Sequence, residues 1–152
     1  MYFFIEKQLQ GRWLSCDTWK EDQFYSGCFY CIDEHQFCKK INKETIDLLI
    51  GITGKINPIK PLAGIPRDVS LPLQLIVDYE KKRGGGYSKN HTWYNFFELN
   101  DFFNNENHSQ KTKNYIQKHC QYFIKIILPM LKKIYNEKST EGVRIVIWFD
   151  KN

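Results

Sequence analysis

The sequence lacks any long apolar run, and no stretch approaches the roughly 20 residues that a membrane-spanning helix needs. Its first six residues contain no basic segment and reach Glu6 at once, so we do not expect a signal peptide. Aromatic residues are not scarce, at 16%, which argues against disorder. These features exclude the membrane, fibrous and disordered classes and predict a protein of the cytoplasm with no membrane partner.

The size of the chain favours one domain covering residues 1–152. A chain of this length buries about 70% of its unfolded surface, so it needs no covalent staple to fold. Hydrophobic residues make up 42% and charged residues 26%, which is ordinary for a globular protein.

The net charge of +5 gives little indication of a nucleic-acid partner. Only four of the basic residues are arginines, and the lysines are spread along the chain. The densest basic stretch, Lys81-Lys82-Arg83, is short. With no recognisable DNA-binding motif, we do not expect specific binding to double-stranded DNA.

Five cysteines cannot all pair within one chain, and a reducing compartment with free thiols is expected. Cys28, Cys31, His35 and Cys38 have donor types suited to zinc, although the later spacings are short for a zinc knuckle. The alternative is an aromatic strand or loop with buried thiols, since Phe24, Tyr25, Phe29 and Tyr30 surround them. No cofactor is predicted, and the zinc interpretation stays open.

The β-structure is predicted mainly at the two ends of the chain. Residues 2–7 and 12–14 read as a hairpin around Gly11. Side chains of residues 143–149 alternate between two faces, as in a strand, and nearly all of them on either face are apolar. Such a strand is expected in the centre of a sheet. A short strand or loop edge is expected at residues 91–94.

The helices are predicted from caps and from apolar spacing. One helix should follow an N-cap at Asn42 and end at Gly54, and another should run from Ser70 to Glu80 after a broken connector at 55–69. Asn95 and Glu98 form a capping box for a third helix. Residues 111–136 read as one long helix, kinked at Pro129. The predicted fold class is α+β, with a mostly antiparallel sheet packed by one long helix and several short ones.

No catalytic signature stands out: the sequence has no Walker loop, no G-x-S-x-G, no H-E-x-x-H and no dinucleotide-binding glycine motif followed by a helix. Gly84-Gly85-Gly86 could offer backbone N–H groups to a phosphate, or it could be a plain loop. Asp150 closes the last strand, where it could line a pocket or simply meet water.

Candidate ligand-binding residues are those that could stack on a base or contact a phosphate. His91 and Trp93 share a face of an extended segment, where they could sandwich a base or belong to the core. Arg67-Asp68 could form a site or a surface ion pair. The candidates are Arg67, Asp68, Tyr87, Lys89, His91, Trp93 and Arg144; none is assigned a catalytic role.

Three segments in this order, 64–70, 91–99 and 143–150, together with Phe4-Ile5-Glu6 and Gly11-Arg12-Trp13, resemble a family of small uncharacterised phage-encoded proteins. Arg67 stands where that family has an acid, and the family's histidine patch is reduced to His91. The resemblance implies an accessory protein that acts in the cytoplasm of an infected bacterium and counters host defence.

Such a role predicts that the chain, as a homo-oligomer, binds and sequesters a nucleotide-derived immune signal without cleaving it. Two alternatives remain. The chain could be a metal-independent phosphodiesterase or related hydrolase using His91 with Asp68 or Asp150. It could also be an inhibitor that binds a host effector protein through exposed aromatic residues.

Overall fold

A computed structural model describes residues 2–17, 19–21, 29–31, 40–82 and 90–148, and the fold is α+β as predicted. The strands are β1 (Tyr2–Leu9), β2 (Arg12–Ser15), β3 (Trp19–Glu21), β4 (Phe29–Cys31), β5 (Thr92–Asn95) and β6 (Gly142–Trp148). The helices are α1 (Lys43–Ile50), α2 (Leu71–Lys82), α3 (Phe96–Phe103), α4 (Gln110–His119) and α5 (Leu128–Tyr135). In these ranges, no helix is both long and apolar enough to cross a membrane.

The main sheet is antiparallel and has the strand order β2-β1-β6-β5. The predicted hairpin is confirmed, since β1 pairs with β2 across a turn at Gln10 and Gly11. The predicted central position of the last strand is also confirmed, because β6 lies between β1 and β5. A separate two-stranded sheet is formed by β3 and β4.

The sheet is covered on both faces. On one face, Phe3, Ile5 and Ile145 belong to a large apolar cluster with residues of α1, α3 and α5. On the other face, Phe4, Val146 and Trp148 form a smaller cluster with Leu73 and Val77 of α2. The alternation of side chains along β1 and β6 explains why neighbouring residues enter different clusters.

The first helix starts as predicted but ends earlier. The side chain of Asn42 accepts a hydrogen bond from the Thr45 N–H, which is the expected N-cap. The helix ends at Gly51, whose φ of 71° is left-handed, and the predicted end at Gly54 is wrong. The Gly51 N–H closes the last turn by donating to the Asp47 carbonyl, and beyond it the Asp47 carboxylate accepts hydrogen bonds from both the N–H and the hydroxyl of Thr53.

The predicted capping box is confirmed at the start of α3. The Asn95 side chain accepts from the Glu98 N–H at 2.8 Å, and the Glu98 carboxylate accepts from the Asn95 N–H at 2.9 Å. The connector before α2 contains no helix or strand, also as predicted.

The single long helix predicted for 111–136 is wrong, because the chain forms two helical pieces there, separated at Cys120. The helix α4 ends at His119, with Cys120 as its C-cap, and a π-helical stretch, Phe123–Ile127, runs directly into α5. Pro129 lacks an N–H, and its ring would press on the carbonyl of Lys125 in a regular helix. The Leu128 N–H donates to the Phe123 carbonyl, and this wider turn just before the proline gives its ring room.

Candidate functional site

Arg144 lies at the centre of a buried charge cluster on the α2 side of the sheet. Its Nε donates to Glu6 Oε2 at 2.7 Å, and its Nη1 donates to Asp68 Oδ1 at 2.9 Å. Its Nη2 also donates to the Asp68 carbonyl at 3.2 Å. The side chain of Arg144 is only 3% exposed. The guanidinium is therefore occupied by two carboxylates of its own chain.

The rings of two tryptophans lie close to this guanidinium. Its central carbon is 3.8 Å from the centre of the Trp13 ring and 5.9 Å from that of the Trp93 ring. Lys60 is a second cation beside these indoles, with its Nζ 4.5 Å from the centre of the Trp93 ring. It also forms a salt bridge of 2.7 Å with Glu98. Cations and indoles thus alternate along this face, and Arg144 and Lys60 each also have a carboxylate partner.

The cluster ties the connector to the sheet. Glu6 is fully buried, and its Oε1 accepts from the Ser70 N–H at 2.7 Å, next to the start of α2. Partial burial works to raise the pKa of Asp68, but the hydrogen bond and the charge of Arg144 outweigh it and hold that pKa below its ordinary value. A hydrogen bond from Trp13 acts in the same direction. These contacts give the cluster a structural role.

His91 is buried against the same face. Its ring lies 5.3 Å from that of Trp148, and its carbonyl accepts from the Gly64 N–H at 3.0 Å. Burial, followed by the charge of Lys81, lowers the pKa of the imidazole. His91 and Trp93 do lie on one face of the sheet, as the alternation predicts, and they pack next to the Trp148 cluster.

The structure thus brings together four of the candidate residues, Asp68, His91, Trp93 and Arg144, on one face. Arg67 adjoins them in the connector and is exposed. Tyr87, Lys89 and the glycines at 84–86 lie outside the described residues, as do Asp150, Cys28, His35 and Cys38. Where the chain is described, no group of histidine, cysteine, aspartate or glutamate side chains could hold a metal ion.

A second place of interest is a groove on the opposite side of the molecule, with a volume of about 520 Å³. It runs between the loop after α1 and the start of α4. We call it the 55/111 groove, and its lining residues are Leu48, Gly54, Lys55, Ile56, Asn57, Pro58, Phe102, His108, Ser109, Lys111 and Thr112.

The 55/111 groove is positively charged. Lys55 and Lys111 both line it, and no described lining residue is acidic. Within the described residues, neither ammonium group forms a salt bridge. The N-terminus of α4 lies in the same wall, where Ser109 caps the Thr112 N–H. Both lysines and the helix dipole therefore favour an anion here.

An aromatic pair forms another part of the wall. The rings of Phe102 and His108 lie 4.5 Å apart, and His108 Nε2 contacts the Phe102 carbonyl at 2.7 Å. A carbonyl only accepts, so Nε2 is the donor and the position of the imidazole is fixed. Pro58, which also lines the groove, packs against Gly51, where an added Cβ would lie 3.2 Å from the Pro58 ring.

Analysis of the sequence missed the 55/111 groove. Its residues come from four separate stretches of the chain, and Lys55, His108 and Lys111 belong to no motif. The available signal is Ser109 followed by Thr112, which is a helix start with a lysine in the first turn.

Comparisons of the chain with protein-family models, with curated proteins and with solved structures find no match.

Proposed function

We propose that this chain is a phage-type accessory protein that binds and sequesters a nucleotide-derived signalling molecule in the 55/111 groove, without cleaving it. The observation that carries the proposal is a groove in which two lysines, with no salt bridge to any described residue, lie near an aromatic pair. The resemblance to small phage proteins supplies the setting, an infected bacterium whose defence uses such signals.

The size and chemistry of the groove suit this ligand class. Ligand pockets usually measure roughly 300–1,000 Å³, and the groove has about 520 Å³. Lys55, Lys111 and the first turn of α4 would contact phosphate groups. The half-buried Phe102 and His108 offer ring surface for a base, and Asn57 adds amide donors and acceptors.

Retention of the ligand, rather than hydrolysis, is supported by the groups available for proton transfer. Acid–base hydrolysis generally uses two positioned groups that titrate near neutral pH. Among the described lining residues, His108 is the one imidazole, no carboxylate accompanies it, and its Nε2 is engaged by a backbone carbonyl. Of the residues of the hydrolase alternative, His91 and Asp68 contact Trp148 and Arg144 and do not line this groove, and Asp150 lies outside the described residues.

The first test is calorimetric titration with cyclic dinucleotides, cyclic trinucleotides, cyclic ADP-ribose isomers, ADP-ribose and inorganic pyrophosphate. One nucleotide class should bind more tightly than pyrophosphate, because the rings contribute as well as the charges. Lys55→Gln should weaken that binding about tenfold, which corresponds to one lost charged hydrogen bond. Lys113→Gln is the matched control, since Lys113 is exposed on α4 but does not line the groove.

The fate of the ligand separates sequestration from catalysis. After heat denaturation of the complex, the nucleotide should be recovered chemically unchanged. A degraded nucleotide would establish the hydrolase alternative. No binding to any nucleotide, together with a stoichiometric bacterial protein on pulldown, would favour the inhibitor alternative.

A further inference from the structure

The positive charge of the chain is concentrated in one segment. Residues 107–136 contain six lysines and no aspartate or glutamate, while the other 122 residues contain 16 basic and 17 acidic residues. The net charge of +5 therefore comes entirely from this segment, which contains α4, the π-helical stretch and α5.

Four of these lysines form a row on the outer side of this segment. Lys118, Lys125 and Lys133 each lie two positions after a buried residue of the large apolar cluster, and at about 100° per residue this places them on the opposite side of the helix. The three buried residues are Ile116, Phe123 and Leu131. Lys132 lies beside Lys133, and all four lysines are exposed. We call this row the α4–α5 ridge.

The charges of the ridge are not neutralised by the described part of the chain. None of the four lysines forms a salt bridge with a described residue. The nearest acids in sequence are Glu106 and Glu137, which flank the segment, and Glu137 already pairs with Lys7 at 2.6 Å. Asn114 and Gln117, which are exposed near Lys118, add uncharged hydrogen-bonding groups. The ridge is therefore complementary to a polyanion.

We propose that the α4–α5 ridge binds the phosphate backbone of double-stranded DNA without sequence preference. From Lys118 to Lys133 the ridge is about 22 Å long. A duplex carries one phosphate charge per about 1.7 Å of its axis, so the lysines meet phosphates in any register. Phosphate contacts carry no sequence information, which agrees with a sequence that has no recognisable DNA-binding motif.

Two other polyanions fit the ridge less well. Single-stranded nucleic acid is usually held by aromatic side chains that stack on its bases, and no aromatic residue within 110–136 is exposed. A helix that lies on an anionic membrane buries its apolar face in the lipid, whereas the apolar face of this segment packs in the core. The ridge offers charge alone, which suits the backbone of a duplex.

This binding is independent of the proposed ligand function, because none of the four ridge lysines lines the 55/111 groove. Contacts to the backbone alone usually give a dissociation constant of about 1–100 µM at physiological salt. The affinity should therefore be weak and should fall steeply as salt is added.

The test is fluorescence anisotropy of two labelled DNA duplexes of unrelated sequence, titrated with the full chain at several salt concentrations. Both duplexes should bind equally well. The logarithm of the association constant should fall against the logarithm of the salt concentration with a slope of about −3.5, since each of four phosphate contacts contributes about −0.9. Lys118→Gln/Lys125→Gln/Lys133→Gln should reduce the slope to about −1.

A matched control separates the ridge from the net charge. Arg12→Gln/Arg67→Gln/Lys82→Gln removes the same charge from exposed residues outside α4 and α5, and the slope should stay at about −3.5. Equal reductions of the slope in the two triple variants would overturn the proposal, because net charge alone would then explain the binding. No binding to either duplex at low salt, or tighter binding to single-stranded DNA or to phosphatidylserine vesicles, would also overturn it.

Discussion

The Arg144 cluster and the 55/111 groove both combine cations with aromatic rings, yet their cations are partnered differently. In the cluster, Arg144 is 3% exposed and is matched by Glu6 and Asp68. In the groove, Lys55 and Lys111 are exposed and have no described acidic neighbour in the lining. The comparison teaches that aromatic and basic residues together do not identify a binding site. The carboxylates next to each cation must also be known, because a cation already paired with a carboxylate has little capacity for a ligand.

The physical reason is the cost of removing a charge from water. A buried guanidinium requires carboxylate partners, and those partners leave little capacity for a phosphate. Exposed lysines keep their hydration until a ligand replaces it. The buried cluster therefore supports the fold, whereas the described lining of the groove leaves both lysines without a carboxylate partner.

The largest predicted effect is loss of stability on breaking the cluster. Arg144→Met leaves Glu6 buried without its cation, so the free energy of unfolding should fall by about 3–5 kcal/mol. Urea denaturation measures this change. Adding Glu6→Gln to Arg144→Met removes the stranded charge and should recover part of the loss. A change below about 1 kcal/mol in the single variant would show that the cluster is not structural.

The next effect concerns the wall of the groove. Gly51→Ala forces a left-handed φ on a residue with a Cβ and crowds the Pro58 ring, so it should cost about 2 kcal/mol. Gly54→Ala is the matched control, because φ there is also positive but nothing lies within 4 Å of the added Cβ. It should cost about 1 kcal/mol. Equal losses in thermal or urea unfolding would mean that the Pro58 contact contributes nothing.

The smallest effect is a pH dependence of stability at His91. Its pKa is lowered in the folded protein, so its contribution is complete above the unfolded value of 6.5 and is lost as the pH falls below it. The loss is at most about 1.4 kcal/mol per pH unit. Urea denaturation between pH 7.5 and pH 5.5 should show a shallower pH slope for His91→Gln than for the unmodified chain. Identical slopes would contradict the assignment.

Local signals predicted much of the fold. The Asn42 cap and the Asn95–Glu98 capping box involve residues three positions apart, and the alternation in β6 lies within one strand. The end of α1 was predicted wrongly because Gly51 and Gly54 look alike in sequence. In the structure the Gly51 N–H donates to the Asp47 carbonyl and ends the helix, and the local sequence does not distinguish this glycine from Gly54.

The candidate site was harder to predict because its contacts are long-range. Arg144 was chosen as a phosphate ligand, but Glu6, its partner, lies 138 positions away in the chain. No local pattern around Arg144 reveals that carboxylate. The 55/111 groove likewise forms only when Lys55 and Lys111 are brought together by the packing of α1, α3 and α4.

The most direct test is to titrate the tightest-binding nucleotide of the panel into two charge-reversal variants. Lys55→Glu/Lys111→Glu should abolish measurable binding, whereas Arg67→Glu, beside the Arg144 cluster, should bind like the unmodified chain. Both variants change exposed residues, and their thermal unfolding should match that of the unmodified chain. Retained binding in the double variant, or loss of binding in Arg67→Glu alone, would contradict the assignment of the site to the groove.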